Sequence, residues 1–415
     1  MSAALDPNLR RNWLAHALEG GLFMGAMTCV NAQTLLPSVV NGLGGPQWLV
    51  ALMPTLMLLG FQLPPIFMAH RIGGLARFQP LLLLTGIPQR LPFLVAAIVL
   101  LTVENPAIVI AMVALAPLLS GLFGGISATA WQQLLTRTVP PDRRASLFAV
   151  RFAISSLLGI PAGWLVSRTL TTHPGQDGYG LLHLYAFAGL MASFAIFAMV
   201  REPAEPARRD PETGLWDNLR GLPRIVAEDA DLRRYLATAA LGGLAAGVVP
   251  YLAIHAVQAA QRSESFLGQL ITWQMAGAVV GGLLAGWAGD RFGAKPVCIA
   301  SRLAWLAVCA TAPLAGVAWT WCALFALFGA AMTSGAIGMH ALSLAILPTH
   351  GRSNRLAVMM SAQMPIALIA GFAAASVWST WSHAAFTGLA LACAVLGAAA
   401  LLPLRRIREP SATHP

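Results

Sequence analysis

Glu19 is the one carboxylate set inside an apolar run of this chain, and Arg90 is the cation set deepest in one. Ionisable side chains in such runs are costly and are candidates for function by default. A carboxylate at that depth can carry a proton. It can also be an interfacial group paired with Arg10 or Arg11, and the sequence favours this plainer reading while leaving the first open. Arg90 lies between Pro88 and Pro92, prolines that free backbone carbonyls for its guanidinium. Arg151 and Arg302 lie closer to the ends of their runs, where a long side chain reaches the interface. The other polar residues within apolar runs are Asn31, Gln33, Gln62, Gln132, Tyr251, His255, Gln274, His340 and Gln363. Only the two histidines among them take a charge near neutral pH. That set suits a neutral, amphipathic or weakly anionic solute better than a strongly cationic one. Met53-x-x-x-Met57 and Met360-x-x-x-Met364 place thioethers on one helix face, a copper ligand set or simple packing. No His-Glu-x-x-His, Gly-x-Ser-x-Gly or phosphate-binding Gly-x-x-x-x-Gly-Lys occurs, so an intramembrane enzyme is the weaker alternative and ATP drive has no motif.

The elements that must position these residues follow from composition. Of 415 residues, 57% are hydrophobic and 10% charged. Soluble domains carry about 25% charge, so an ordinary soluble enzyme, a disordered chain and a disulfide scaffold are excluded. A helix crosses the hydrocarbon core with about 20 apolar residues. That length predicts twelve spans, near 14–40, 46–69, 78–101, 106–131, 146–169, 182–200, 235–258, 266–289, 295–317, 319–346, 355–379 and 382–404. The first is read as a span and not a signal peptide, being too long and lacking a small-residue cleavage site. Alternating the loops puts 21 of the 26 basic residues on one face and only Arg168 and Arg262 on the other. This is a positive-inside signal. It predicts a multi-pass protein of a bacterial inner membrane with both termini cytoplasmic. It also gives the net charge of +10 a topological meaning and removes nucleic acid as its partner. The five cysteines are scattered through apolar stretches, without metal-ligand spacing or a disulfide framework.

The one long polar stretch, 201–234, divides the chain into bundles of six spans, 1–200 and 235–415. The halves echo each other. Gly20-Gly21-Leu22 matches Gly242-Gly243-Leu244, and Arg71-Ile72-Gly73 matches Arg291-Phe292-Gly293. Arg90-Leu91 matches Arg302-Leu303, and Ala149-Val150 matches Ala357-Val358. The matches keep their order and fall in equivalent spans, as in transporters built from repeats.

Gly289-Asp290-Arg291-Phe292-Gly293-Ala294-Lys295 resembles the signature loop of the major facilitator superfamily of secondary transporters. The equivalent first-half loop, His70-Arg71-Ile72-Gly73, lacks the aspartate. The resemblance implies an all-α integral membrane fold of twelve helices in two pseudo-symmetric bundles. It implies secondary active transport of a small organic solute by alternating access, coupled to protons by default, with export ahead of import. The polar residues named above would line the solute path, with Glu19 and Arg90 as coupling residues. His70, Arg71, Arg143, Arg144, Asp290 and Arg291 would form a cytoplasmic gate. A monomer in the bilayer, with no cofactor and no metal, is expected. A transporter-like sensor or assembly factor without flux is the alternative, and a copper importer ranks below it.

Overall fold

The computed structural model describes residues 8–62, 64–65, 68, 75–203, 226–346, 363–380 and 383–408. Ten helical segments among these are long and apolar enough to cross a membrane. Two shorter apolar helices, Gln47–Gln62 and Met364–Trp378, take the second and eleventh places in the series. The twelve spans predicted from apolar length are therefore all represented. Most of the polar stretch 201–234 lies outside the described residues.

Helix ends are set by local chemistry. Asn105 caps the fourth span (Pro106–Thr138) by accepting from the Ala107 amide, with Pro106 at the first position. Asp229 caps the seventh span by accepting from the Asp231 and Leu232 amides. The third span (Gln79–Thr102) is capped from far away in sequence. The Glu202 carboxylate accepts from the Phe78 and Gln79 amides and pairs with Arg137 at 3.0 Å. A carboxylate at a helix N-terminus meets unpaired amides and the positive end of the dipole. Gly293 (φ 88°) separates the eighth span, Phe266–Phe292, from the ninth, Ala294–Thr311, in a backbone region that other residues rarely adopt.

Two spans are broken. The first runs as Leu9–Ala26 and a 3₁₀ turn, Met27–Val30, then leaves helical geometry at Asn31 and resumes at Leu35–Gly42. The seventh runs as Ala230–Ala245, a 3₁₀ turn at Ala246–Val248, and Val249–Ala259. The breaks fall at equivalent places of the internal repeat.

The helices pack into two compact units. One comprises Met1–Asn31 and Leu56–Glu212; the other comprises Ala32–Thr55 and Thr213–Pro415. Each unit uses glycine for close approach. In the first unit, a side chain at Gly121 of the fourth span would overlap the Met57 carbonyl of the second. In the second unit, a side chain at Gly329 of the tenth span (Ala318–Ile346) would overlap the Gln274 carbonyl of the eighth. Small residues at such crossings let helix backbones touch where lipid provides no hydrophobic drive. Met53 is buried and Met57 lends its backbone to this crossing, as packing requires. Of the second methionine pair, Met360 lies outside the described residues. All five cysteines are buried, and none forms a disulfide.

Candidate functional site

In the first unit, Glu19 sits one helical turn above His16 on the first span and is 8% exposed. Arg151, from the fifth span (Pro141–Thr172), crosses to it. Its Nη1 stands 3.1 Å from Glu19 Oε2 and 2.9 Å from the His16 carbonyl oxygen, to which it donates. Gly20 makes the approach possible, since any side chain there would overlap the guanidinium. Trp131 lies under Arg151, with 5.0 Å from Cζ to the ring centroid. His16 shares a hydrogen bond of 3.0 Å with the Thr138 hydroxyl. Ser193 of the sixth span (Gln176–Phe197) donates to the Glu19 backbone carbonyl. Four spans thus meet around one ion pair. The expected partners Arg10 and Arg11 are not the ones found: the Arg11 Nε donates to the Met199 carbonyl instead. Arg151 does not snorkel, because a buried carboxylate holds it.

Arg90 is 4% exposed. It donates to the Leu190 carbonyl at 2.8 Å and to the Gly86 carbonyl at 2.7 Å. Its guanidinium lies over Phe194 and Phe23. A proline removes the helical donor to the carbonyl four residues before it. Pro88 and Pro92 therefore free the carbonyls of Leu84 and Pro88, and Arg90 uses neither. Its acceptors come from its own preceding turn and from the sixth span, so the expected role of the prolines gives way to a tie between helices. Arg90 joins the third span to the sixth while remaining within electrostatic reach of Glu19. In the same unit Asn31 is buried at the break of the first span, and Gln62 has a buried Oε1 with no hydrogen bond among the described residues. Gln132 is exposed.

In the second unit, Gln274 of the eighth span is 3% exposed. Its Nε2 donates to Gln33 Oε1 at 2.8 Å, and Thr34 Oγ1 donates to Gln274 Oε1 at 3.0 Å. In the same unit the Tyr251 hydroxyl donates to the Gln47 carbonyl, and its ring stacks on Trp378 with centroids 4.5 Å apart. His255 stacks on Phe386 at 3.8 Å and meets Trp321 edge-on at 5.7 Å. Gln33, Gln274, Tyr251 and His255 are thereby drawn into the packed part of this unit. His340 is exposed, and Gln363 opens the eleventh span (Gln363–Thr380) with its side chain outside the described residues.

Of the gate residues, His70 and Arg71 lie outside the described residues. Arg144 donates to the Val139 and Thr136 carbonyls, closing the end of the fourth span. The Arg143 carbonyl accepts from the Trp13 indole. Asp290 and Arg291 are exposed in the last turn of the eighth span. Spacing alone did not reveal Arg151 as the partner of Glu19, nor Thr34, nor the aromatic group around His255. The one available signal was the repeated Gly-Gly-Leu, whose first glycine receives an arginine in each unit.

Residues 234–415 match the family model of the Major Facilitator Superfamily. Among solved structures the chain is similar to the nucleoside transporter NupG, with a TM-score of 0.71 at 12% identity over 94% of this chain and 99% of that one. It is also similar to a D-xylose–proton symporter, with a TM-score of 0.70 at 15% identity over 96% and 98%. A bacterial homologue of the human lysosomal transporter Spinster, inward-facing and unoccupied, gives 0.64 at 12% identity over 97% and 96%. At these identities the likeness concerns the fold. No curated protein matches the chain closely enough to compare. The match to the Major Facilitator Superfamily model is thus confined to residues 234–415, while the likeness of fold to solved transporters extends over nearly the whole chain.

Proposed function

We propose that this transporter moves a small organic solute by alternating access, driven by protons through Glu19. The observation that carries the reading is the buried pair of Glu19 and Arg151. It joins the only carboxylate at membrane depth to a cation on another span. Charges removed from water hold each other only while both remain charged. A proton on Glu19 ends the charge–charge attraction and leaves Arg151 with the His16 carbonyl and the Trp131 ring, so the tie between the first and fifth spans is weakened. The charged and titratable groups facing Glu19 are Arg151 on the fifth span, Arg90 on the third and His16 on its own helix.

The polar set in each unit supplies solute contacts: Asn31 and Gln62 in the first, and Gln33, Gln274, Tyr251 and His255 in the second. Arg90 is read as a positioning residue for the Glu19 pair. Residues 201–234 are read as the cytoplasmic connection between two six-span halves, in a bacterial inner membrane with the arginine-rich loops inside. Asp290, Arg143 and Arg144 remain proposed as gate residues on that face, and export is placed ahead of import.

Flux in proteoliposomes tests the reading. A solute chosen from a thermal-shift panel should move when a pH gradient is imposed. Glu19→Gln at equal incorporation should transport without response to that gradient. Flux in Glu19→Gln that follows the gradient as the wild type does would remove Glu19 as the carrier.

A further inference from the structure

The two units share one packing device with two differences: the arginine comes from the fifth span in the first unit and from the ninth, the counterpart of the third, in the second, and only the first unit supplies a counter-ion. In the first unit Gly20 makes room for the Arg151 guanidinium, and the adjacent Glu19 neutralises it. In the second unit Gly242, at the matching place in the seventh span, makes room for the guanidinium of Arg302 from the ninth span; any side chain at Gly242 would overlap it. The residue matching Glu19 is Leu241. Arg302 therefore has the cradle without the counter-ion. Among the described residues it makes no hydrogen bond and no ion pair.

In the second half carboxylates lie only at the ends of spans or between them, none in a span's interior. Asp231 lies in the first turn of the seventh span and pairs with Arg234. Glu264 lies in the loop before the eighth span, and Asp290 lies in the last turn of that span. No further acid follows until Glu409, so the ninth to twelfth spans hold none. Arg302 stands eight residues into Ala294–Thr311, about 12 Å along the helix from its start. A charge at such depth is ordinarily paired. The side chain is half-buried, so an outside group can reach it. Tyr235 lies within its electrostatic reach, and the Tyr235 hydroxyl makes a long contact, 3.5 Å, to the Met339 carbonyl with the Ser343 hydroxyl beside it. A planar guanidinium beside a phenol hydroxyl is a donor set for a carboxylate or phosphate.

We propose that Arg302, cradled by Gly242 with Tyr235 beside it, binds an anionic group, a carboxylate or a phosphate, within the second unit. The group belongs to a solute or to a lipid headgroup. Binding itself needs no transport; only the step from a bound anion to an anionic cargo rests on the transport reading above.

The test uses the full chain in lipid nanodiscs of phosphatidylcholine, with thermal unfolding followed at constant ionic strength. Inorganic phosphate, benzoate and phenyl phosphate are compared with the neutral benzamide and phenol. At least one anion should raise the unfolding midpoint where its neutral analogue does not. Arg302→Gln should weaken that anion about tenfold or more, the loss expected for a charged hydrogen-bond donor. A second set of discs containing phosphatidylglycerol separates the sources. If that lipid raises the midpoint in the wild type and not in Arg302→Gln, the bound anion is a headgroup, and the proposal stands. Leu241→Glu keeps the arginine and supplies the missing carboxylate from within, so it should abolish the response to added anions and to anionic lipid. The proposal is overturned if neither anions nor anionic lipid shift the wild type. It is overturned equally if Arg302→Gln or Leu241→Glu responds as the wild type does. No gradient or flux enters these measurements, so their failure leaves proton coupling through Glu19 standing, and the reverse holds too.

Discussion

Glu19 Oε2 and Arg151 Nη1 meet at 3.1 Å although 132 residues separate them in sequence. Both side chains are nearly closed to solvent. Removing one partner of such a pair costs about 3–5 kcal/mol, because the other charge is left buried. Arg151→Met should therefore lower the unfolding midpoint strongly. The double change Glu19→Leu with Arg151→Met should recover most of the loss while leaving transport unresponsive to a pH gradient. A double change no more stable than Arg151→Met alone would show that the pair is not the seat of the loss.

Arg90 works through geometry. Its two bonds to the Leu190 and Gly86 carbonyls are charge-assisted, and each such bond is worth about 1.5–3 kcal/mol. Lysine cannot place two donors in one plane. Arg90→Lys should thus lower thermal stability while the pH profile of transport keeps its shape. A displaced pH profile at unchanged stability would move Arg90 from structural tie to proton coupling.

Gln274 holds Gln33 and Thr34 through both ends of one amide. Gln274→Leu removes two hydrogen bonds, an expected loss of about 1–3 kcal/mol. Thr34→Val removes one and should cost about half as much. A double-mutant cycle read by thermal unfolding should give a coupling energy, and additive losses would mean that the two side chains do not interact in the membrane.

Glu202 joins a helix cap to an ion pair. Glu202→Gln keeps an acceptor for the Phe78 and Gln79 amides but loses the charge that Arg137 meets. Its cost should be smaller than that of Glu202→Ala, which loses the cap as well, by about 1 kcal/mol. Equal losses would place the whole effect in the ion pair.

Much of the fold was legible in the sequence because a bilayer imposes a length on every apolar run. The break of the first span was not. Asn31 to Thr34 contain no proline or glycine, and Pro37 comes only after the chain has turned. Periodicity carries no mark of a break that is held by packing. The site was legible by residue type and illegible by pairing. Glu19 announced itself as a charge in an apolar run, yet neighbours on its own helix suggested Arg10 and Arg11. Its actual partner lies on another span, and only the glycine beside it hinted that something large must come close.

The membership of Ala32–Thr55 in the second unit sets an order of events during synthesis. Thr34 leaves the ribosome 240 residues before Gln274. At about 5–20 residues per second, that is a wait of roughly 10–50 s. Throughout it, Gln33 and Thr34 sit in a nascent chain whose partner has not been translated. The segment is made nearly first, yet it cannot dock on Gln274 until the eighth span has been translated.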